Sequence, residues 1–120
     1  MNCTQQIGRL TADPEPLKQT EQGSVTTFRL AVARPKSSAK DADFFTVEAW
    51  ERLAEVCCEH LARGREIAVD GRLEQREWRT ADDQPRERVV IVARHVRFLG
   101  GRTENIARPE LDEHDHDIPF

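Results

Sequence analysis

Short stretches in which apolar and polar residues alternate recur along most of this chain and leave few folds open to it. The two clearest cover residues 25–33 and 43–50. Alternation with a period of two places successive side chains on opposite faces, so it predicts β-strands with one buried face. The residues expected to face the core are Phe28, Leu30, Val32, Phe45, Val47 and Ala49.

One segment breaks this alternation. Over residues 51–62 the apolar residues recur at three- and four-residue spacing, which is the pattern of an amphipathic helix. Its apolar stripe consists of Leu53, Val56, Cys57 and Leu61. Gly64 follows, and a glycine readily adopts the left-handed conformation that ends many helices. The sequence therefore predicts one helix in the middle of the chain.

Alternation returns after this helix, over residues 66–78 and 89–98. In the first of these two strands, Ile67, Val69 and Leu73 are predicted to face the core. The second is apolar enough to be a central strand. Residues 2–10 form a weaker strand candidate at the start of the chain.

The predicted order is therefore three strands, one helix and two strands. An all-β domain of about 100 residues with one helix in this place matches the OB-fold, a five-stranded Greek-key barrel. A sandwich is less favoured, because it needs about seven strands. Gly100 and Gly101 mark the edge of this domain. We assign residues 1–102 to the barrel and residues 103–120 to a short disordered acidic tail.

The charges are divided unevenly between these two parts. Residues 1–102 carry 17 Lys and Arg against 16 Asp and Glu, whereas residues 103–120 carry one Arg against six acidic residues. The net charge of −4 therefore belongs to the tail. Because the barrel is almost neutral, any binding of phosphates must come from local patches of charge.

Other features bound the cellular setting. No apolar run approaches the roughly 20 residues that span a membrane, and no signal peptide is recognisable. The three cysteines show neither a disulfide framework nor zinc-ligand spacing, which fits a reduced cytoplasm. No arrangement of nucleophile, acid, base or metal ligands is recognisable, so the sequence predicts neither an enzyme nor a cofactor.

Three aromatic residues fall on the polar side of their strands. Phe44 and Trp50 lie opposite the core residues of their strand, and Trp78 shares a face with Arg72 and Arg76. Exposed rings interleaved with arginines are what the stacking of bases and the neutralisation of phosphates require. A subunit interface that covers the rings is the alternative, and the alternation pattern alone leaves both open.

Two loops add weaker indications. Arg34, Lys36 and Lys40 flank the loop between the second and third predicted strands, and residues 79–88 form a charged hairpin loop between the last two. Loops in these positions bind oligonucleotides in OB-folds. Loops of mixed charge are also often merely solvated, and that reading stays open.

Seven stretches together carry a resemblance to a known family. They are residues 7–14, 25–34, 50–55, 61–64, 69–73 and 76–78, and the final segment Asp117-Ile118-Pro119-Phe120. In order and spacing the chain resembles bacterial single-stranded DNA-binding proteins along nearly its whole length. The resemblance implies an OB-fold body that assembles into a homo-oligomer, usually a tetramer, and binds single-stranded DNA without sequence preference and without catalysis. It also implies a cytoplasmic, nucleoid-associated protein.

The resemblance further implies roles for individual residues. Phe44, Trp50 and Trp78 match base-stacking positions, and Arg52, Arg63 and Arg76 match phosphate contacts. The complete predicted DNA-binding set is Phe44, Trp50, Trp78, Arg34, Lys36, Arg52, Arg63, Arg72 and Arg76. The acidic tail would recruit replication, recombination and repair proteins through a hydrophobic tip with a free carboxylate. That tip consists of Asp115, Asp117, Ile118, Pro119 and Phe120.

The chain departs from the family pattern in several places. Glu74 and Glu77 stand where basic residues are frequent, and Glu48 shares a face with the stacking rings. We therefore predict weaker DNA binding than is typical. The loop after residue 34 lacks a further stacking aromatic, and Gln5-Gln6 replaces apolar residues that support assembly. Two alternatives remain: a specialised paralogue that mainly docks partners through its tail, and an RNA-binding OB module.

Overall fold

The alternating segments form β-strands in the computed structural model, which describes residues 1–35 and 41–99. One helix interrupts them. The elements are β1 Thr4–Leu10, β2 Lys18–Thr20, β3 Gly23–Ala33, β4 Ala42–Trp50, α1 Glu51–His60, β5 Glu66–Arg79 and β6 Pro85–Leu99. The predicted order of elements is confirmed, with one short strand, β2, added between the first two.

The strands close into a barrel. The order across the sheet is β1-β5-β6-β4-β3-β2, and β1 also pairs with β3, so five strands form a ring with β2 at its margin. β4 and β6 run parallel, and the other pairs are antiparallel. A closed five-stranded barrel with one helix between its third and fourth ring strands is the OB-fold, as predicted.

The predicted inward faces form the core. Phe28 and Leu30 of β3 meet Val47 and Ala49 of β4, and all four are buried. The helix α1 adds Leu53, Ala54, Val56 and Cys57. Burial, and secondarily the neighbouring Cys58, raises the pKa of the Cys57 thiol to about 12, so it stays protonated and behaves as a small apolar side chain. Within residues 1–35 and 41–99, no helix is long and apolar enough to cross a membrane.

The end of the helix and the turn after it agree with the sequence prediction, except that the helix is shorter than predicted. α1 ends two residues earlier than predicted, and the Leu61 amide donates to the Cys57 carbonyl. Gly64 does adopt a left-handed conformation, with φ 86°. Its amide donates to the Leu10 carbonyl, so this turn joins the end of the helix segment to the end of β1.

The hairpin of β5 and β6 differs most from the sequence prediction. Half of the predicted loop over residues 79–88 is strand, because pairing continues from Gln75↔Val89 to Arg79↔Pro85. This end of the hairpin projects past the last β1 pairing, Thr4↔Gly71. Both of its faces meet solvent, so its residues show no apolar alternation for a sequence pattern to detect.

Leu73 is the core prediction that is wrong. It has the parity of Ile67 and Val69 and pairs with the buried Ile91, but it is 42% exposed. The reason is its position beyond β1, where only the Asn2 side-chain amide reaches its backbone. The domain edge predicted at residues 100–102 and the tail over residues 103–120 lie outside the described residues.

Candidate nucleic-acid interface

Strand register joins the three predicted stacking residues on one outer face. Thr46 and Glu48 of β4 pair with Val90 and Val92 of β6. These two valines pair in turn with residues of β5, Glu74 and Arg72. Paired residues point to the same side of a sheet. The outer sides of β3, β4, β6 and β5 are therefore one surface, which we call the aromatic face: Thr27, Arg29, Ala31, Phe44, Thr46, Glu48, Trp50, Arg72, Glu74, Arg76, Trp78, Arg86, Arg88, Val90 and Val92.

Phe44 stands at one end of this face. It is 53% exposed, which is high for a large apolar side chain on a strand. Arg29 of β3 lies diagonally across from it, with the guanidinium carbon 5.7 Å from the ring centroid. This is cation–π geometry, so an exposed positive charge lies against an exposed ring.

Trp78 repeats this arrangement on the hairpin. It is 43% exposed, and the Arg88 guanidinium carbon lies 5.5 Å from its ring centroid. Arg88 also donates to the Thr46 hydroxyl at 3.5 Å. A shallow cleft beside the ring is lined by Trp78, Arg79, Pro85 and Arg86 with two glutamates. A planar ring beside a cleft and two arginines suits a stacked base with its phosphate.

Trp50 lies at the opposite end of β4 from Phe44 and is half-buried. It is the last residue of β4, and the next residue, Glu51, begins α1 in a left-handed conformation with φ 55°. The chain therefore turns sharply just after the ring. The indole Nε1 donates to Glu48 Oε1 at 3.3 Å, which fixes the orientation of the ring. Two shallow clefts meet at Trp50, and Arg76 also lines both.

The Glu48 carboxylate also binds Arg76, whose guanidinium it faces with both oxygens. Arg76 Nη2 donates to Oε1 at 2.6 Å and Nε donates to Oε2 at 3.1 Å. Glu48 is only 9% exposed. A carboxylate this buried needs such a paired and hydrogen-bonded partner, because desolvating an isolated charge is costly.

Glu74 extends this pair into a chain of four charges, Arg72–Glu74–Arg76–Glu48. Its carboxylate accepts hydrogen bonds from both Arg76 and Arg72. The hydrogen bonds from Arg76 and Arg72 hold the pKa of Glu74 below its usual range, and those that Arg76 donates to Glu48 and Glu74 raise the pKa of Arg76. Glu74 and Arg76 are therefore charged at neutral pH, and Arg72 and Arg76 are each paired with a carboxylate inside the protein.

Several predicted DNA-binding residues are placed elsewhere. Arg34 pairs with Asp43, which points to the opposite side of β4 from Phe44. Arg52 lies on α1 and pairs with Glu55 at 3.7 Å. Arg63 follows α1, where its backbone amide donates to the Asp13 carboxylate. These three arginines are not brought onto the aromatic face, and Lys36 and Lys40 lie outside the described residues.

Glu77 is a further correction to the predicted electrostatics. It is adjacent to Trp78 on β5 and therefore points to the other side of the strand, opposite Glu87. Of the three carboxylates expected to oppose phosphates, only Glu48 and Glu74 lie on the aromatic face. Both of these carboxylates are paired with arginines.

Three arginines of this face were missed as candidates: Arg29, Arg86 and Arg88. A signal existed for Arg29, because it lies between Phe28 and Leu30 and must therefore point outward. No local signal existed for the other two, which fell in a predicted loop. In the part of the chain that the structure describes, no group of three or more His, Cys, Asp or Glu side chains could hold a metal ion.

Fold and face together define a barrel of the oligonucleotide-binding class, and comparison with known proteins identifies the family. The sequence model of the single-strand binding protein family matches residues 1–99. A single-stranded DNA-binding protein of Caldanaerobacter subterraneus is 37% identical over 116 residues, covering 89% of this chain and 77% of that protein. One of Thermotoga maritima is 39% identical over 98 residues, with coverages of 78% and 70%. One of Treponema pallidum is 34% identical over 111 residues, with coverages of 89% and 62%.

This chain belongs to the single-strand binding protein family, which confirms the predicted resemblance. Proteins of this family are DNA-binding proteins without enzymatic activity, so the protein is not an enzyme.

Proposed function

We propose that the protein binds single-stranded DNA without sequence preference, through the aromatic face. The observation that carries this proposal is the placement of Phe44, Trp50 and Trp78 on one continuous surface with arginines between them. The names of the relatives support it, since those proteins are called single-stranded DNA-binding proteins.

Each component of this face has a defined task in the proposal. The rings stack on unpaired bases, which is worth about 1–3 kcal/mol per base and is tolerant of sequence because every base has a π-face. The arginines take the phosphates, and this part of the binding weakens with salt. Duplex DNA keeps its bases stacked inside the helix, so the rings select for single strands.

Assembly and recruitment complete the proposal. The protein acts as a homo-oligomer, a tetramer or a dimer, in the cytoplasm. The acidic tail and its tip, residues 115–120, recruit proteins of replication, recombination and repair. An apolar tip beside acidic residues suits a pocket flanked by basic side chains on such a partner. The assignment rests on the sequence of the tail.

Tryptophan fluorescence during titration with a long oligo-dT tests DNA binding. Trp50 and Trp78 are the only two tryptophans, so quenching reports stacking at these positions. We expect strong quenching that persists at moderate salt. W78F leaves the Trp50 signal and W50F leaves the Trp78 signal, so the pair assigns the quenching to each ring.

Two further arms make this test decisive. An oligo-U of equal length, added in competition, separates a DNA-binding from an RNA-binding role, and we expect it to compete poorly. Duplex DNA of the same length should leave the fluorescence unchanged. If oligo-dT causes no quenching even at low salt, the rings are not a stacking platform and the proposal fails.

A further inference from the structure

The five arginines of the aromatic face fall into two groups. Arg72 and Arg76 are held by Glu74 and Glu48, as described above. Arg29, Arg86 and Arg88 are exposed and form no ion pair within residues 1–35 and 41–99. This division differs from the sequence-based assignment, in which Arg72 and Arg76 were predicted to contact phosphates.

We propose that Arg29 and Arg88, rather than Arg72 and Arg76, are the principal phosphate-binding residues of this face. The proposal rests on the proposed function and names the residues that carry it out. It also assigns Arg72 and Arg76 a different task, namely to hold Glu48, and through it the Trp50 ring, in place.

Arg76 and Arg72 are already occupied by carboxylates, which a phosphate would have to displace. To bind Arg76, a phosphate has to replace a carboxylate that already presents two oxygens to the guanidinium, at 2.6 and 3.1 Å. That exchange would leave Glu48, which is 9% exposed, with its charge uncompensated. A phosphate near Arg72 would have to displace Glu74, whose carboxylate accepts two hydrogen bonds from that guanidinium. Neither arginine offers a net positive charge to the DNA.

Arg29 and Arg88 are held by weaker contacts, with aromatic rings. Each guanidinium lies over an exposed ring, at 5.7 Å from the Phe44 centroid and 5.5 Å from the Trp78 centroid. A cation–π contact at an exposed site is weaker than a charge-assisted hydrogen bond to phosphate. The guanidinium can therefore move from the ring to a phosphate with a net gain.

Each of these two rings and the arginine over it can bind one nucleotide together. A base that stacks on Phe44 or Trp78 takes the place of the guanidinium on the ring. The displaced arginine remains tethered on the neighbouring strand, close to the backbone of the nucleotide whose base has just arrived. One ring and one arginine thus form a unit that binds base and phosphate together, and the face carries two such units.

The salt dependence of binding tests this assignment. Fluorescence anisotropy of a labelled oligo-dT, measured over a series of salt concentrations, gives the slope of log K against log salt. Each phosphate contact on a single strand contributes about −0.7 to this slope. We expect R29Q and R88Q each to reduce its magnitude by about 0.7 for each subunit that the oligonucleotide contacts. R29K and R88K keep the positive charge and should retain most of the slope.

The comparison variant is E48Q/R76Q, which removes one internal pair without changing the net charge and leaves an acceptor for Trp50. We expect it to reduce the slope by less than half as much as R29Q or R88Q. R9Q removes an arginine on β1 outside the aromatic face and measures the effect of net charge alone. Thermal unfolding of each variant confirms that it is folded.

The possible results separate the two proposals. If R29Q and R88Q both lower the slope more than E48Q/R76Q does, the assignment holds. If E48Q/R76Q lowers it as much as either of them, or if R29Q or R88Q resembles R9Q, the assignment is overturned while DNA binding stands. If the unmodified protein shows no salt-dependent binding of oligo-dT, the proposed function itself fails.

Discussion

Glu48 is the residue that connects the aromatic and the charged groups of the aromatic face. It is a nearly buried carboxylate between the Trp50 ring and the Arg76 guanidinium, and it accepts hydrogen bonds from both. Removing Arg76 alone would leave this charge without its main partner, which is far more costly than removing the pair. The cluster therefore gives the face its shape while taking away part of its positive charge.

Glu74 provides the sharpest prediction at this scale. We expect E74Q to raise the affinity for oligo-dT, because it frees the charge of Arg72 while Arg76 keeps Glu48. The same change should steepen the slope of log K against log salt by up to about 0.7 for each subunit that the oligonucleotide contacts, which is the contribution of one phosphate contact. E77Q is the matched control: it makes the same substitution on the same strand but on the opposite side, and it should leave the slope nearly unchanged.

The effect of E74Q should also depend on pH in a defined way. The pKa of Glu74 is lowered by its bonds to Arg76 and Arg72, so its pairing is complete above the ordinary Glu range and is lost only as pH falls through the lowered value. The affinity ratio of E74Q to the unmodified protein should therefore stay constant between about pH 6 and about pH 8. A ratio that already falls toward one across this range would contradict the pairing.

The sequence predicted part of this site. Alternation placed Phe44, Trp50 and Trp78 on outer faces, because each of them has the opposite parity to the predicted core residues of its strand. It could not predict that Glu48 reaches Arg76, since the two are 28 residues apart and meet only through the register of β4, β6 and β5. Local patterns report which way a side chain points, and pairing between strands decides what it meets.

At the scale of the strands, the closure of the barrel depends on β1. It pairs with β5 along most of its length and with β3 at its end. Gly8 lies where it passes from one partner to the other, and a Cβ there would lie 2.3 Å from the Ala31 carbonyl oxygen. Only a residue without a side chain lets the two backbones approach this closely.

We therefore predict that G8A lowers the free energy of unfolding by about 1–3 kcal/mol, the usual cost of forcing a group into a packed site. Chemical denaturation monitored by circular dichroism measures this. G64A is the comparison: its Cβ would meet nothing within 4 Å, but its φ of 86° disfavours any side chain. It should cost about 1 kcal/mol through backbone strain alone. A cost for G8A smaller than that for G64A would contradict close packing at Gly8.

How well each element could be predicted depended on how it is buried. β3, β4 and the barrel half of β5 have one face in the core, and their alternation located them to within about two residues. β2 is three residues long and the outer half of β6 has both faces in solvent, so neither leaves an apolar signature. Arg86 and Arg88 were assigned to a loop for that reason.

For the whole molecule, the separation of charge between barrel and tail is the main feature. Residues 103–120 carry a net charge of −5, and residues 1–102 carry +1. We expect the acidic tail to compete with DNA for Arg29, Arg86 and Arg88, which form no ion pair within residues 1–35 and 41–99. We predict that removing residues 103–120 raises the affinity for oligo-dT at low salt.

This gain should disappear at high salt, because the competition is electrostatic and is screened. A full-length variant in which the six acidic residues after residue 102 become Asn or Gln is the matched control. It should reproduce the gain if charge is responsible. A gain that persists at high salt, or that only the truncation shows, would point to steric hindrance instead.

The projecting hairpin has a consequence for how such a protein can change over generations. Its outer half carries Trp78, Arg86 and Arg88 without contributing to the core, so its length is not tied to stability. Each residue added to a strand advances the chain by about 3.3 Å and reverses the side on which the next side chain points. Insertions of two residues in each strand would move the ring outward by about 6.6 Å with its orientation kept, whereas single insertions would turn it away. The footprint on a bound polymer can thus be retuned in discrete steps while the barrel stays the same.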